Sequence, residues 1–220
     1  MKRIKENKPP KELIAWTHAK AKNVDGKLMN WGYSDMPADL RRKVKLCLIR
    51  EQGALCCYTG RRIDDDTSHI EHLKPQEKCV KHEDTDYSNI LAAYPSANFP
   101  GRLAYGAHKK ANWYDPILFI HPLRDDCEKR ITYKDDGSIK PTRSNDKAAI
   151  ETITKLDLDN DDLKNLRSTA IHTALFEEQL SKGDVQKLYK AMDSQNAKGQ
   201  LREYCFAIKQ ACERYLKRFN

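Results

Sequence analysis

No window of this 220-residue chain approaches the roughly 18 to 20 consecutive apolar residues that a bilayer-spanning helix needs, so no membrane partner is expected. The basic opening MKRIKENKPPKE has no apolar stretch behind it and does not read as a secretory leader. No glycine-rich phosphate loop of the form GxxxxGK followed by Ser or Thr occurs, which argues against nucleotide hydrolysis by this chain itself. No two of the seven cysteines stand three residues apart, so there is no CxxC pair, and their odd number fits reduced thiols in a cytoplasmic protein better than a disulfide framework. There is no internal repeat, and nothing of low complexity beyond short runs of charge.

What remains is a chain rich in cations. Forty Lys and Arg against 32 Asp and Glu give a formal charge of +8, which favours an anionic partner because clustered cations displace counterions from phosphates. With 39% hydrophobic content the chain can bury one ordinary core.

Three regions differ in texture. Residues 1–53 are basic and helical in pattern. KELIAWTHAKAK places Leu13, Trp16 and Ala19 on one face, and ADLRRKVKLCLIREQG sets Leu40, Val44, Cys47 and Leu48 on one stripe, with Arg41, Arg42 and Lys45 largely off it and Gly53 as a stop. Residues 54–122 lose that period and gain turn chemistry in YTGRRIDDD, YPSANFPGRLAYG and YDP, so short strands, long loops and one brief helix are expected. Residues 123–220 read as helical support. DLDNDDLKNLRSTAIHTALFEEQLSKG begins with cap-type Asp and Asn, turns Leu163, Leu166, Ala170, Ala174 and Leu180 inward, and closes at Gly183.

The middle region carries an ordered series: LCCYTG, HIEH, DYSNIL and GAHKKANWYDP. In a strand, successive side chains point to opposite faces, so Glu71 and His72 can take different roles at one strand end. A carboxylate and an imidazole suit a hard divalent cation and proton removal from water near neutral pH. His69 shares strand parity with Glu71 and is either a further ligand or an ordinary polar strand residue. Tyr87, Trp113 and Tyr114 are either base-stacking groups or local core.

This series resembles the HNH nuclease motif of the ββα-metal fold, over about Leu55 to Asn112. Adding MKRIKENKPPKEL, REQGALCCYTG and LDLDNDDLKNLR, most of the chain resembles the PtuB family of HNH subunits of Septu-type antiphage systems, which also accompany some retrons. The resemblance implies an α+β, mostly helical protein, with a ββα-metal core flanked by N- and C-terminal helices. It implies His72 as general base and Asn89 as the residue that fixes the loop or orients His72. Glu71 and His108 would hold one Mg²⁺ or Mn²⁺, and Lys109, Lys110, Arg61, Arg62 and Lys74 would contact the nucleic-acid backbone. The implied partners are an ABC-type ATPase of the PtuA kind, nucleic acid (DNA before tRNA or other RNA) and, in a retron setting, a reverse transcriptase with its msDNA. Many HNH proteins build a zinc knuckle from CxxC pairs; AAYPSANFPGRLAYGAHKK has no cysteine, so no structural zinc is expected here. That loss also motivates a second reading, a noncatalytic nucleic-acid-binding adaptor on a degenerate HNH scaffold. A Cys57–His72 hydrolase is a third.

Overall fold

The computed structural model describes residues 1–5, 8–22 and 31–219. Pro10 precedes helix α1 (Lys11–Lys22), where a missing N–H costs nothing, and its carbonyl accepts from Leu13 N at 3.0 Å. Pro37 likewise starts α2 (Ala38–Glu51) from an extended conformation, with Asp39 in the first turn and Arg50 in the last, each matched to the helix dipole. Leu40, Val44, Leu48 and Ile49 form its buried stripe. Gly53 ends the run at φ +60°, and its missing Cβ leaves room for Leu201, whose Cγ would lie 2.6 Å away.

Strand β1 (His69–His72) pairs antiparallel with β2 (Ile90–Ala93), His69 opposite Ala93 and His72 opposite Ile90. All of β2 is buried, and its outer edge is covered by a side chain. The Gln52 amide accepts from Ala92 N and donates to Ala92 O, both at 2.8 Å, as a neighbouring strand would. The short helix α3 (Ala107–Lys110) then completes a strand–strand–helix unit.

A second hairpin, β3 (Ile131–Tyr133) with β4 (Ile139–Pro141), lies in the region read as helical, which corrects that reading. Its signal is the Asp136–Gly137 turn between two short β-prone runs, with Gly137 at φ +78°. Helices α4 (Lys147–Lys155), α5 (Asp161–Leu175), α6 (Lys182–Ala191) and α7 (Cys205–Leu216) follow, with α7 packed on β3, α5 and α6. Asn160 caps α5 as expected from its sequence. Gly183 is not a stop: it sits in the first turn of α6, started by a reciprocal Ser181–Asp184 capping box. The buried stripe of α5 is Leu163, Arg167, Ile171 and Leu175, with Leu166, Ala170 and Ala174 only flanking it. Arg167 is tolerated inside because it donates to Gly137 O (2.6 Å) and Leu158 O (2.9 Å).

The protein is thus α+β and mostly helical, with seven α-helices and two two-stranded sheets among the described residues. Buried residues from all three sequence regions form one hydrophobic cluster, and Ile4 N bonds to Pro122 O across the chain. No described helix is long and apolar enough to cross a membrane.

Candidate active site

Strand alternation divides HIEH between two environments. His69 and Glu71 face α3; His72 faces away. The Glu71 carboxylate lies in a pocket where Oε1 accepts from Tyr58 Oη (3.1 Å) and Lys110 Nζ (2.9 Å), while Oε2 is 3.5 Å from His69 Nε2. Burial pushes this carboxyl up, but the His69 hydrogen bond and the Lys110 charge outweigh burial and hold it below its ordinary value. Glu71 is therefore a half-buried carboxylate whose neighbours favour its ionised form.

Two backbone contacts fix the histidine tautomers on this face. The His69 Nδ1 position meets the Pro95 carbonyl and Nε2 faces the Glu71 carboxylate, and both can only accept, so the Glu71 contact belongs to the charged ring with a proton on each nitrogen; on deprotonation Nδ1 keeps its proton and the lone pair lies on Nε2. His108 is the reverse. Its Nδ1 accepts from Leu103 N at 3.0 Å, and because an amide N–H can only donate, the proton of the neutral ring sits on Nε2. Burial lowers the His69 pKa, but Glu71 and the Pro95 carbonyl overcome it and raise the pKa above the ordinary imidazole value. His108 is shifted down by burial first, then by the charges of His69 and Arg102, against an opposing pull from Glu71.

His72 is only 7% exposed. Its Nε2–H donates to Asp84 O at 2.9 Å, its Nδ1 faces the Gln76 amide at 3.5 Å, and Tyr33 packs edge-on at 4.7 Å. Burial lowers its pKa, partly offset by the Asp84 carbonyl. The structure therefore does not bring His72 to the face of Glu71, because adjacent strand residues diverge. Asn89 ties the β1–β2 loop: Oδ1 accepts from Lys74 N, and Nδ2 donates to Lys74 O and Glu83 O, next to the carbonyl that holds His72.

The expected basic contacts separate on inspection. Lys109 is exposed, whereas Lys110 is 2% exposed and bound to Glu71 and the His72 carbonyl, so Lys110 is not part of a basic surface. Arg62 donates to the carbonyls of Gly53, Ala54 and Leu201, a structural tie to the C-terminal region. Arg61 stacks over Tyr94 at 4.3 Å, and Lys74 pairs with Glu83. Other cations come from α2: Arg41, Arg42 and Lys45 line a cleft of about 580 Å³ together with Tyr33 and His69. Asp65 neutralises Arg42 and Lys45 there. Tyr87 is buried, and Trp113 and Tyr114 pack on Phe119, so these aromatics are core. Cys57 is buried and its pKa raised well above the ordinary thiol value by that burial, the wrong direction for a nucleophile. The Tyr58 contact escaped sequence reasoning, since nothing distinguishes that tyrosine from core.

Among the described residues no three His, Cys, Asp or Glu side chains stand close enough to share an ion. The donor set at hand is one carboxylate, already paired with Lys110, and His69 Nε2, which offers a lone pair only when the ring is neutral. That suits a hard cation such as Mg²⁺, which keeps several waters and uses one or two carboxylates plus substrate phosphate. It does not suit a tetrahedral all-protein cage.

No protein-family model matches the chain. Over 140 residues it is 26% identical to a protein of Vibrio cholerae serotype O1 biovar El Tor named "Retron Vc95 putative HNH endonuclease", a match covering 63% of this chain and 64% of that protein. The chain thus spans less than two thirds of that relative. Its name supports an HNH nuclease reading.

Proposed function

We propose that the chain is a metal-dependent HNH endonuclease that hydrolyses nucleic-acid phosphodiester bonds, working as the effector subunit beside an ABC-type ATPase of the PtuA kind in a Septu-type, retron-linked defence complex. The observation that carries the nuclease reading is the half-buried, ion-paired Glu71 beside a histidine whose Nε2 is turned toward it by the backbone. The ATPase is supported by sequence resemblance, and the retron setting by the relative's name.

Glu71 would hold one Mg²⁺ or Mn²⁺, which when bound supplies a Lewis acid at a phosphate oxygen. The chain's own residues do the rest. In its neutral form, populated above its raised pKa, His69 takes the proton of the attacking water on Nε2, while Nδ1–H remains on the Pro95 carbonyl and fixes the ring. A water–phosphorus bond forms and the bond from phosphorus to the leaving 3′ oxygen breaks. The imidazolium that results is stabilised by Glu71. The base role that the resemblance implies for His72 passes to His69 in this proposal, because His69 shares the carboxylate's face. Asn89 keeps the loop in register. Lys109 and Arg41 would meet the substrate backbone without reading sequence.

The test uses the chain assembled with its ATPase and offers defined duplex DNA, single-stranded DNA and total tRNA, with Mg²⁺ and with a chelator. Chelator-sensitive cleavage, lost in His69→Ala and Glu71→Gln and retained within tenfold in His72→Phe, is expected, with duplex DNA the favoured substrate. Cleavage that survives the chelator refutes metal dependence. Loss in His72→Phe with retention in His69→Ala returns the base role to His72.

A further inference from the structure

His108 occupies the helix position where the resemblance implies a metal ligand. Its backbone contacts leave it a different chemistry. A nitrogen binds a cation through a lone pair, and the His108 lone pair is already directed at Leu103 N–H, 3.0 Å away. Nε2 carries the remaining proton. Turning the ring over would set a carbon against the Leu103 amide, and stripping Nε2 of its proton would require an imidazolate. The position is also held from behind: the Arg102 guanidinium donates to the His108 carbonyl at 3.0 and 3.3 Å, and the Phe99 ring stands 6.2 Å off at a steep angle. The side chain is half-buried, on the helix that faces Glu71 and His69.

We propose that His108 meets a non-bridging phosphate oxygen of the substrate as a neutral hydrogen-bond donor through Nε2–H, and that it does not ligate the metal. This rests on the nuclease reading above. No covalent bond forms to His108 and no proton leaves it; the N–H shortens onto the oxygen as negative charge builds in the transition state. A cationic ring would lose the Leu103 contact, and burial with the charges of His69 and Arg102 shifts the ring's pKa down in the same direction. Neutral donors of this kind are worth the most in a dry, preorganised site, about a hundred- to a thousandfold in turnover.

The test has a direct and a kinetic arm. Long-range ¹H–¹⁵N spectra of the full chain, with histidine nitrogens labelled, read the tautomer at each ring; His108 is expected to keep its proton on Nε2 from pH 6.5 to 8, before and after saturating Mg²⁺. In the ATPase-assembled protein, His108→Ala is expected to lower turnover about a hundred- to a thousandfold while the Mg²⁺ concentration for half-maximal rate changes less than threefold. His108→Gln, whose amide nitrogen reaches near the Nε2 position, restores at least tenfold of that loss. A proton on Nδ1, an Nε2 resonance that loses its proton as Mg²⁺ is added, or a tenfold or greater rise in the Mg²⁺ requirement of His108→Ala would overturn the proposal. Absence of any cleavage by the wild-type assembly would instead overturn the nuclease reading and this assignment with it.

Discussion

Replacing Lys110 with methionine keeps most of the side chain's bulk and removes one buried charge. Its Nζ lies 2.9 Å from Glu71 Oε1 and 2.9 Å from the His72 carbonyl, with the residue 2% exposed. At an effective dielectric of 20 the attraction at that distance is about 6 kcal/mol, and much of it offsets the desolvation of the two ions. Removing only the cation leaves His69 and Tyr58 alone to offset the Glu71 desolvation, which costs up to about 3–5 kcal/mol, a large share of the roughly 5–15 kcal/mol that holds a domain folded. Lys110→Met should therefore lower the urea midpoint by that amount with little change in slope. Adding Glu71→Gln removes the orphaned charge while Tyr58 can still donate to the amide oxygen, so the double variant should recover to within about 1–2 kcal/mol of wild type. Equilibrium urea unfolding at pH 7, followed by tryptophan fluorescence, completes the double-mutant cycle. A single variant that loses less than about 1 kcal/mol, or a double variant that loses the sum of the two singles, would refute the buried-pair argument.

Three further outcomes follow from other parts of the fold. Gln52→Leu leaves the Ala92 N–H without its partner and takes a donor from two carbonyls, so a loss of about 2–4 kcal/mol is expected in urea unfolding; a loss below 1 kcal/mol would mean β2 does not need its surrogate neighbour. Gly137→Ala places a Cβ about 2.0 Å from the Lys164 carbonyl oxygen at φ +78°, so left-handed strain of about 1–2 kcal/mol adds to a backbone clash, and thermal melting should show a loss above 2 kcal/mol. Asp146 caps α4 and pairs with Arg130; that hydrogen bond, over the opposing effect of burial, holds its carboxyl below the ordinary value. Its stabilisation is present above the unfolded carboxyl pKa of about 3.9 and disappears as pH falls through the folded value. Asp146→Asn preserves the cap, so it should cost about 0.5–1.5 kcal/mol at pH 7 and nothing by pH 2, and a pH-independent gap would place the effect outside the ion pair.

Much of this architecture could be read from periodicity. The stripe of α2, at Leu40, Val44 and Leu48, and the cap of α5 are local patterns, visible wherever one face of a helix must be buried, whereas the stripe expected on α1 holds at Leu13, only in part at Trp16, and not at the exposed Ala19. The β3–β4 hairpin was missed because runs of three residues carry too little alternation to stand out from loop. Gly183 misled because a glycine just after one helix also suits the first turn of the next.

The chemistry divides along the same line. The sequence by itself determined that a carboxylate and two histidines stand at a strand end, since residue types and their spacing are properties of the chain. It also determined that neighbours in HIEH must diverge, because the alternation of side chains is built into the extended backbone. Only the tertiary structure decided which pair faces α3, because that depends on which side of a two-stranded sheet the later chain packs. The burial of Lys110 against Glu71 and the opposite tautomers of His69 and His108 belong to the same class. They are set by the Pro95 carbonyl and the Leu103 amide, backbone groups whose positions no side-chain pattern encodes.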